Sequence, residues 1–124
     1  MIFNDETPEW AKVIEEGLCE VIPGMTPAMI RRPAKPGRGN APRATLARNI
    51  GMVLARDLGD IGRDEIADWL RTKPSTVGAN TTSTRRQMRN KAAAIESGGN
   101  YITFDQLYNQ AIVAIGRPYL EAAA

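Results

Sequence analysis

The sequence predicts an all-α fold, a small helical bundle, from the pattern of its apolar residues and of its helix-breaking residues. Apolar residues recur every three or four positions in several segments, which is the spacing of the buried face of an amphipathic helix. Helix-start signals such as Thr7-Pro8 precede these segments, and breaks rich in glycine or proline follow them. No segment alternates apolar and polar residues convincingly, so we predict no β-strand.

Length and composition indicate one globular domain spanning residues 1–124, with a core over about 8–115 and frayed ends. Of the 124 residues, 43% are hydrophobic and 24% are charged, which is typical of a folded protein rather than a disordered one. No apolar run approaches the ~20 residues that span a bilayer, and the acidic N-terminus lacks the basic start of a secretory signal. We therefore expect a cytoplasmic protein with no membrane partner.

The residue types that most enzymes and metal sites need are scarce. The chain has no histidine and one cysteine, Cys19, which removes Ser-His and Cys-His nucleophiles and most zinc sites. It has no P-loop motif for binding a nucleotide. Cys19 has apolar neighbours and is predicted to be a core residue of a helix, while Asp64 and Glu65 are predicted to lie on a solvated helix face. We expect neither enzyme activity nor a metal, nucleotide or other cofactor.

The positive charge is concentrated in the middle of the chain. The net charge is only +2, but residues 31–91 carry fourteen Lys and Arg and five acids, a net charge of +9. Residues 1–30 and 92–124 carry net charges of −5 and −2. A basic region between acidic ends is the charge distribution expected of a nucleic-acid-binding protein, although a basic solvated surface gives the same distribution.

Six helical segments are predicted along the chain. They cover roughly residues 8–21, 26–30, 44–58, 63–70, 74–95 and 103–115, and the last begins with the capping box Thr103-Phe104-Asp105-Gln106 and stops at Gly116-Arg117-Pro118. Trp69 shares a face with Ile66 and is predicted to be a core residue rather than a stacking platform.

A basic loop rich in proline and glycine occupies residues 31–43. One interpretation is a linker between two domains, but each flank is too short to be a domain of its own. The loop is therefore predicted to lie along a phosphate backbone or in a minor groove of DNA.

Segment 74–95 follows segment 63–70 after the turn Arg71-Thr72-Lys73, and its exposed face is predicted to suit the major groove of DNA. Small residues allow close approach and hydroxyl groups bond to bases or phosphates, so a helix with such a face suits a DNA major groove. The alternative is a polar surface helix of low intrinsic stability. The predicted outward face carries Ser75, Ala79, Thr82, Ser83 and Arg86, and the predicted inward face carries Val77, Thr81, Thr84, Met88 and Ile95.

The segment Arg48-Asn49-Ile50-Gly51-Met52-Val53-Leu54-Ala55-Arg56-Asp57-Leu58 resembles the helix RQIAMYLAREL in the C-terminal DNA-binding domain of the bacterial replication initiator DnaA. Glu65-Ile66 is similar to the Glu-Ile of that family's next helix, and Ser75-Thr76-Val77 to the Thr-Thr-Val that opens its recognition helix. The first helix, the basic loop and a final helix containing phenylalanine follow in the family's order. The resemblance covers roughly residues 8–115.

The resemblance implies an all-α domain that binds a duplex DNA box through a helix-turn-helix of the Trp-repressor type. In that family the basic loop reaches the minor groove, a role that would fall to Arg38 or Arg43. The arginine and the polar residue at the start of the long helix approach DNA, which here are Arg48 and Asn49.

In that family a later basic residue of the long helix contacts the DNA backbone, a role that would fall to Arg56. Hydroxyl groups of the recognition helix read bases or phosphates, which would be those of Ser75 and Thr76.

The sequence also departs from the family. The family's turn reads Gly-Gly-Arg-Asp-His, whereas this chain has the shorter Arg71-Thr72-Lys73-Pro74, and Thr82 stands where the family tends to be basic. The Asp-His pair that helps to read bases in the family is absent, so the resemblance does not imply the same target sequence. The sequence also has no ATPase module, so we expect a stand-alone relative rather than a complete initiator.

Together these patterns predict a sequence-specific double-stranded DNA-binding protein, a transcriptional or replication regulator associated with the nucleoid. The residues predicted to contact the DNA backbone or the minor groove are Arg38, Arg43, Arg48, Arg56 and Arg86, and Asn49 is predicted to approach DNA with Arg48. The residues predicted to face the major groove are Lys73, Ser75, Thr76, Ala79 and Thr82. The alternative is a protein-interaction module that keeps the scaffold and binds a partner through the acidic first helix or the Tyr101–Tyr119 region.

Overall fold

The computed structural model describes residues 7–32, 42–97 and 99–123, which form six helices and one two-stranded antiparallel sheet. The elements are, in chain order, α1 (Glu9–Val21), α2 (Pro27–Arg31), α3 (Pro42–Gly59), α4 (Arg63–Leu70), α5 (Pro74–Arg89), β1 (Ala93–Ser97), β2 (Asn100–Thr103) and α6 (Phe104–Ala123). The chain is therefore mostly helical, as predicted, but the all-α class is corrected by the β-hairpin.

Helix α3 supplies the largest share of the core. Its buried residues run from Ala44 to Ala55, and all five other helices pack against it. The first and last helices also pack against each other, so closely that a Cβ atom at Gly17 would overlap Cγ1 of Ile115. The absence of a side chain at Gly17 is what permits α1 and α6 to approach to this distance.

The buried carboxylate of Glu15 links three helices, α1, α2 and α4. Glu15 of α1 is 1% exposed, and its Oε2 accepts hydrogen bonds from Nε1 of Trp69 at 2.9 Å and from Nε of Arg31 at 2.7 Å. The Trp69 ring also makes an edge-to-face contact with Trp10, with centroids 5.3 Å apart. Trp69 is 4% exposed, which confirms the prediction that it is a core residue.

Some helix ends agree with their sequence signals and others do not. The capping box is confirmed, since Thr103 N donates to Oε1 of Gln106 at 3.0 Å and Gln106 N donates to Oγ1 of Thr103 at 3.4 Å. The start of α1 differs, because Pro8 rather than Thr7 is the N-cap residue. The end of α6 differs as well, because the helix continues through Gly116-Arg117-Pro118 to Ala123.

The hairpin is the main error of the sequence prediction. The helix that starts at Pro74 ends at Arg89, not near residue 95, and Lys91 adopts a left-handed backbone with φ 52°. β1 then pairs with β2 in the register Ile95↔Ile102 and Glu96↔Tyr101. Ile95 is 5% exposed, so it is buried as predicted but from a strand. The alanines before Ile95 favour a helix by intrinsic propensity, whereas pairing with β2 places Ile95 in the core from a strand.

None of the helices in the described part of the chain is long and apolar enough to cross a bilayer.

Candidate nucleic-acid interface

An open groove of about 700 Å³ runs along the exposed side of α5, and we call it the α5 groove. It is bounded by the end of α3, the start of α4 and one face of α5. Among the described residues that line it, four are arginines, four carry hydroxyl groups and none is acidic. The lining residues are Arg56, Arg63, Ser75, Gly78, Ala79, Thr81, Thr82, Ser83, Arg85 and Arg86.

The local sequence explains why α5 starts where it does. Arg71 ends α4 in a left-handed conformation with φ 54°, and Thr72 N donates to the carbonyl oxygen of Ala67 at 2.9 Å. Lys73 is extended, and Pro74 follows as the first helical residue, where its missing N–H costs nothing. The turn at residues 71–73 thus fixes the angle at which α5 leaves α4.

Most of α5 is surface. Its buried residues are Val77 and Thr84, and its predicted outward residues Ser75, Ala79, Thr82, Ser83 and Arg86 are all exposed. Thr82 Oγ1 donates to the carbonyl oxygen of Gly78 at 3.0 Å, which leaves its methyl group and its oxygen lone pairs for other contacts. The predicted outward face of this helix is therefore confirmed.

Gly78 brings an arginine of the neighbouring helix against α5. A Cβ atom at Gly78 would lie 2.9 Å from Nη1 of Arg63, so the guanidinium group of Arg63 lies directly over the glycine. Because Gly78 has no side chain, Arg63 of α4 and the hydroxyl residues of α5 share one groove wall.

A charged cluster fixes the far end of the groove. Arg85 donates two hydrogen bonds to Asp57 of α3, from Nη2 to Oδ1 at 2.7 Å and from Nη1 to Oδ2 at 3.2 Å. The hydroxyl of Tyr108, on α6, donates to Oδ2 of the same carboxylate at 2.6 Å. Asp57 therefore joins α3, α5 and α6 at one point.

The pKa values of this cluster follow from its contacts. Partial burial alone would raise the pKa of Asp57, but the hydrogen bonds from Arg85 and Tyr108 outweigh it and hold the pKa below its usual range. Burial, and then the hydrogen bond to Asp57, raises the pKa of Tyr108 to about 12. Near neutral pH Asp57 is ionised, Arg85 is charged and Tyr108 keeps its proton.

Five of the predicted site residues come together in the α5 groove: Arg56, Ser75, Ala79, Thr82 and Arg86. They come from two separate parts of the sequence, the last turns of α3 and the length of α5 from its first turn to its last. The groove is thus assembled by the contact between these two helices.

The predicted DNA contact at Arg48 is wrong, because its side chain is a structural element. Arg48 is 8% exposed, and burial lowers the pKa of its guanidinium group. Its Nη1 donates to the carbonyl oxygens of Ile30 at 2.8 Å and Arg32 at 3.0 Å, and its Nη2 donates to that of Leu70 at 2.8 Å. These carbonyls lie at the C-terminal ends of α2 and α4, where the helix dipole favours a positive charge. Arg48 holds both helix ends to α3.

The other predicted residues that the structure describes do not line the α5 groove. Arg43 donates to the carbonyl oxygen of Pro23 at 2.9 Å and borders a smaller groove beside β1. Asn49 and Thr76 are half-buried, and Lys73 is exposed at the N-cap of α5. Arg38 lies outside the described residues.

Five groove residues are not among the predicted site residues: Arg63, Gly78, Thr81, Ser83 and Arg85. Ser83 is predicted only to lie on the outward face of α5, and the inward placement of Thr81 is corrected because it lines the groove. Two of the other three carry a local signal. A basic residue in the first turn of a helix opposes the helix dipole, and Arg63 is such a residue. A glycine inside a helix lowers its stability relative to alanine, which marks Gly78 as a position of close approach. Arg85 carries no such signal, because its pairing with Asp57 depends on how α3 and α5 pack.

Comparison of the chain with protein-family models, with curated proteins and with solved structures finds no match.

Proposed function

We propose that this chain is a double-stranded DNA-binding protein, that α4 and α5 act as a helix-turn-helix, and that α5 enters the major groove. One observation carries the proposal: the exposed face of α5 has small and hydroxylated residues at its centre and arginines from three helices around it. Such a surface is matched to a duplex, whose base edges lie between two rows of phosphates.

The dimensions of α5 suit this role. It has 16 residues and so is about 24 Å long, and the B-DNA major groove admits a helix of this diameter. A duplex approached by the face around Ala79 meets side chains no longer than threonine at the centre of that face. Bulky side chains there would hold the two surfaces apart, whereas Ser75, Ala79 and Thr82 do not.

The proposed division of roles follows from reach and charge. Arg56, Arg63 and Arg86 are exposed, and long cationic side chains at the rim of a groove contact phosphates. Ser75 and Thr82 carry hydroxyl groups that bond to base edges or phosphates, and Ala79 offers a methyl group to thymine. The arginines would then set the affinity and the short residues the sequence preference.

The resemblance to the C-terminal domain of DnaA supports the same conclusion from a separate direction, since it assigns the recognition helix to the segment opened by Ser75-Thr76-Val77. Because the chain lacks the Asp-His pair of that family, we propose a target sequence of its own. A regulator of transcription or replication fits better than a structural chromatin protein, because a recognition helix implies a choice among sequences.

The proposal is tested by selection from a random duplex library, with the bound fractions sequenced and binding repeated at two salt concentrations. We expect an enriched motif and an affinity that falls steeply as salt rises, since bound phosphates release counterions. An absence of binding at low salt would contradict DNA binding and would favour a protein-interaction module on this scaffold. Salt-sensitive binding without a motif would contradict sequence reading by α5.

A further inference from the structure

Adjacent arginines at the end of the α5 groove differ in their partners. Arg85 forms a two-pronged pair with Asp57, whereas the side chain of Arg86 makes no hydrogen bond or ion pair with any residue that the structure describes. Both line the groove. The guanidinium group of Arg85 is thus held in a fixed orientation, and Asp57 largely offsets its charge. The guanidinium group of Arg86 is free to change rotamer, and no carboxylate in the described part of the chain offsets its charge.

Asp57 is itself held. Tyr108 donates to Asp57 Oδ2 at 2.6 Å, the same oxygen that accepts from Arg85 Nη1 at 3.2 Å. The Asp57 and Arg85 side chains are 30% and 38% exposed, so the pair lies at the wall of the groove rather than in the core. A planar guanidinium group that uses one edge for a carboxylate still has donors for a second anion.

We propose that Asp57 and Tyr108 are positioning residues that hold Arg85 in one orientation at the groove wall, and so make its contact with a DNA phosphate depend on correct seating of α5. The inference rests on the proposed function. It assigns to the cluster a contribution to discrimination between specific and non-specific DNA, in addition to the sequence preference proposed for the short residues of α5.

The physical reason is that a free and a held arginine respond differently to a misplaced duplex. Arg86 follows a phosphate over several ångströms by changing rotamers, so it supports binding to any sequence. Arg85 stays where Asp57 holds it, and Asp57 repels phosphates that approach at other angles. Only a duplex seated in the correct register places a phosphate in line with the remaining Arg85 donors.

The test is Asp57→Asn, measured by titration of a labelled duplex carrying the motif found by selection and of an unrelated duplex of equal length. The substitution releases Arg85 and removes one negative charge. We expect about five-fold tighter binding to the unrelated duplex at 0.15 M salt, the contribution of roughly one more neutralised phosphate. Binding to the motif duplex should not improve by as much, so the ratio of the two affinities falls.

Two further variants test the inference even if Asp57→Asn fails to fold. Tyr108→Phe retains the charge of Asp57 but removes the hydrogen bond that Tyr108 donates to it. Arg85→Lys retains the positive charge but cannot donate two parallel hydrogen bonds to the carboxylate. Both are expected to lower the affinity ratio by about two- to three-fold while affinity for the unrelated duplex stays the same, a change of ~0.4–0.7 kcal/mol. Thermal unfolding of each variant separates loss of fold from loss of discrimination.

The outcomes separate this inference from the proposed function. If the wild-type protein binds no duplex, the proposed function fails and this inference falls with it. If the wild-type protein discriminates but Asp57→Asn weakens both duplexes equally, the cluster only supports the fold and the inference alone is overturned. If the two conservative variants leave the affinity ratio unchanged, the positioning role is likewise overturned.

Discussion

The two halves of α3 use arginine in opposite ways. In the first half, Arg48 is 8% exposed and donates three hydrogen bonds to carbonyl oxygens at the ends of α2 and α4. In the second half, Arg56 is exposed, donates to the carbonyl oxygen of Ile61 at 3.2 Å, and lines the α5 groove. The same residue type on the same helix therefore stabilises the fold at one place and forms a candidate interface at the other.

The difference follows from helix geometry. Eight residues are about 2.2 turns, so the side chains of Arg48 and Arg56 leave α3 about 80° apart. One direction leads to the C-terminal ends of two helices, where unpaired carbonyl oxygens need donors. The other leads to the open side of α5. What an arginine does in this protein is thus decided by the helix end or helix face that it meets.

The largest expected effect is a difference in the free energy of unfolding between a substitution at Arg48 and one at Arg56, in the two halves of α3. Arg48→Met would leave three carbonyl oxygens without their donor, and we expect a loss of about 3–5 kcal/mol in the free energy of unfolding. Arg56→Met should change it by no more than about 0.5 kcal/mol, because Arg56 is exposed. Urea denaturation followed by circular dichroism measures both. Equal effects of the two substitutions would contradict the structural role of Arg48.

The next effect concerns sequence preference in the α5 groove. Ser75→Ala should alter which duplexes are bound and should cost about 1–3 kcal/mol on the preferred sequence if the hydroxyl makes a good base contact. Its effect on stability should stay within about 0.5 kcal/mol, since Ser75 is exposed. Repeating the duplex selection with the variant checks this. An unchanged motif would exclude Ser75 from base reading.

A smaller effect is expected from single groove arginines. Arg86→Ala should weaken binding by about five-fold at 0.15 M salt for any duplex, since one phosphate contact is lost. Lys12→Ala, on α1, removes the same charge from an exposed position that does not line the groove and serves as the matched control. Anisotropy titration with both variants is the measurement. A similar loss for Lys12→Ala would indicate attraction by net charge rather than contact at the groove.

The smallest effect is a change with pH at the cluster that joins α3 to α5. Burial and the hydrogen bond to Asp57 raise the pKa of Tyr108 to about 12. The stability that the protonated Tyr108 hydroxyl contributes is therefore fully present below the ordinary tyrosine pKa of about 10 and is lost as the pH rises toward 12. Absorbance of tyrosinate near 295 nm should show a titration step near pH 12. The step should disappear in Tyr108→Phe, and its persistence there would assign it to another tyrosine.

Much of the fold could be predicted because its signals are local. The spacing of apolar residues predicted α1, α3 and α4, and Pro74 predicted the start of α5. Hydrogen-bonding side chains marked the starts of α2 and α6. The hairpin at residues 93–103 could not be predicted, because its first strand is rich in alanine and is stabilised by the burial of Ile95.

The candidate site could be predicted only where periodicity decides exposure. The outward face of α5 follows from the helical repeat once Val77 is placed inward. The burial of Arg48 and the pairing of Arg85 with Asp57 depend on where other helices end and pack, which no spacing within α3 or α5 encodes. Resemblance to a DNA-binding helix assigned Arg48 a contact that the structure gives to carbonyl oxygens instead.

The central claim is that the α5 groove binds duplex DNA, and the slope of affinity against salt concentration tests it most directly. We would compare wild-type protein with Arg56→Ala/Arg86→Ala and with the charge-matched Lys12→Ala/Lys91→Ala, whose side chains are exposed outside the groove. The groove variant should show a log–log slope about 1.8 smaller in magnitude, and the control variant an unchanged slope. Equal slopes for the two variants, or no salt-dependent binding by the wild-type protein, would contradict the claim.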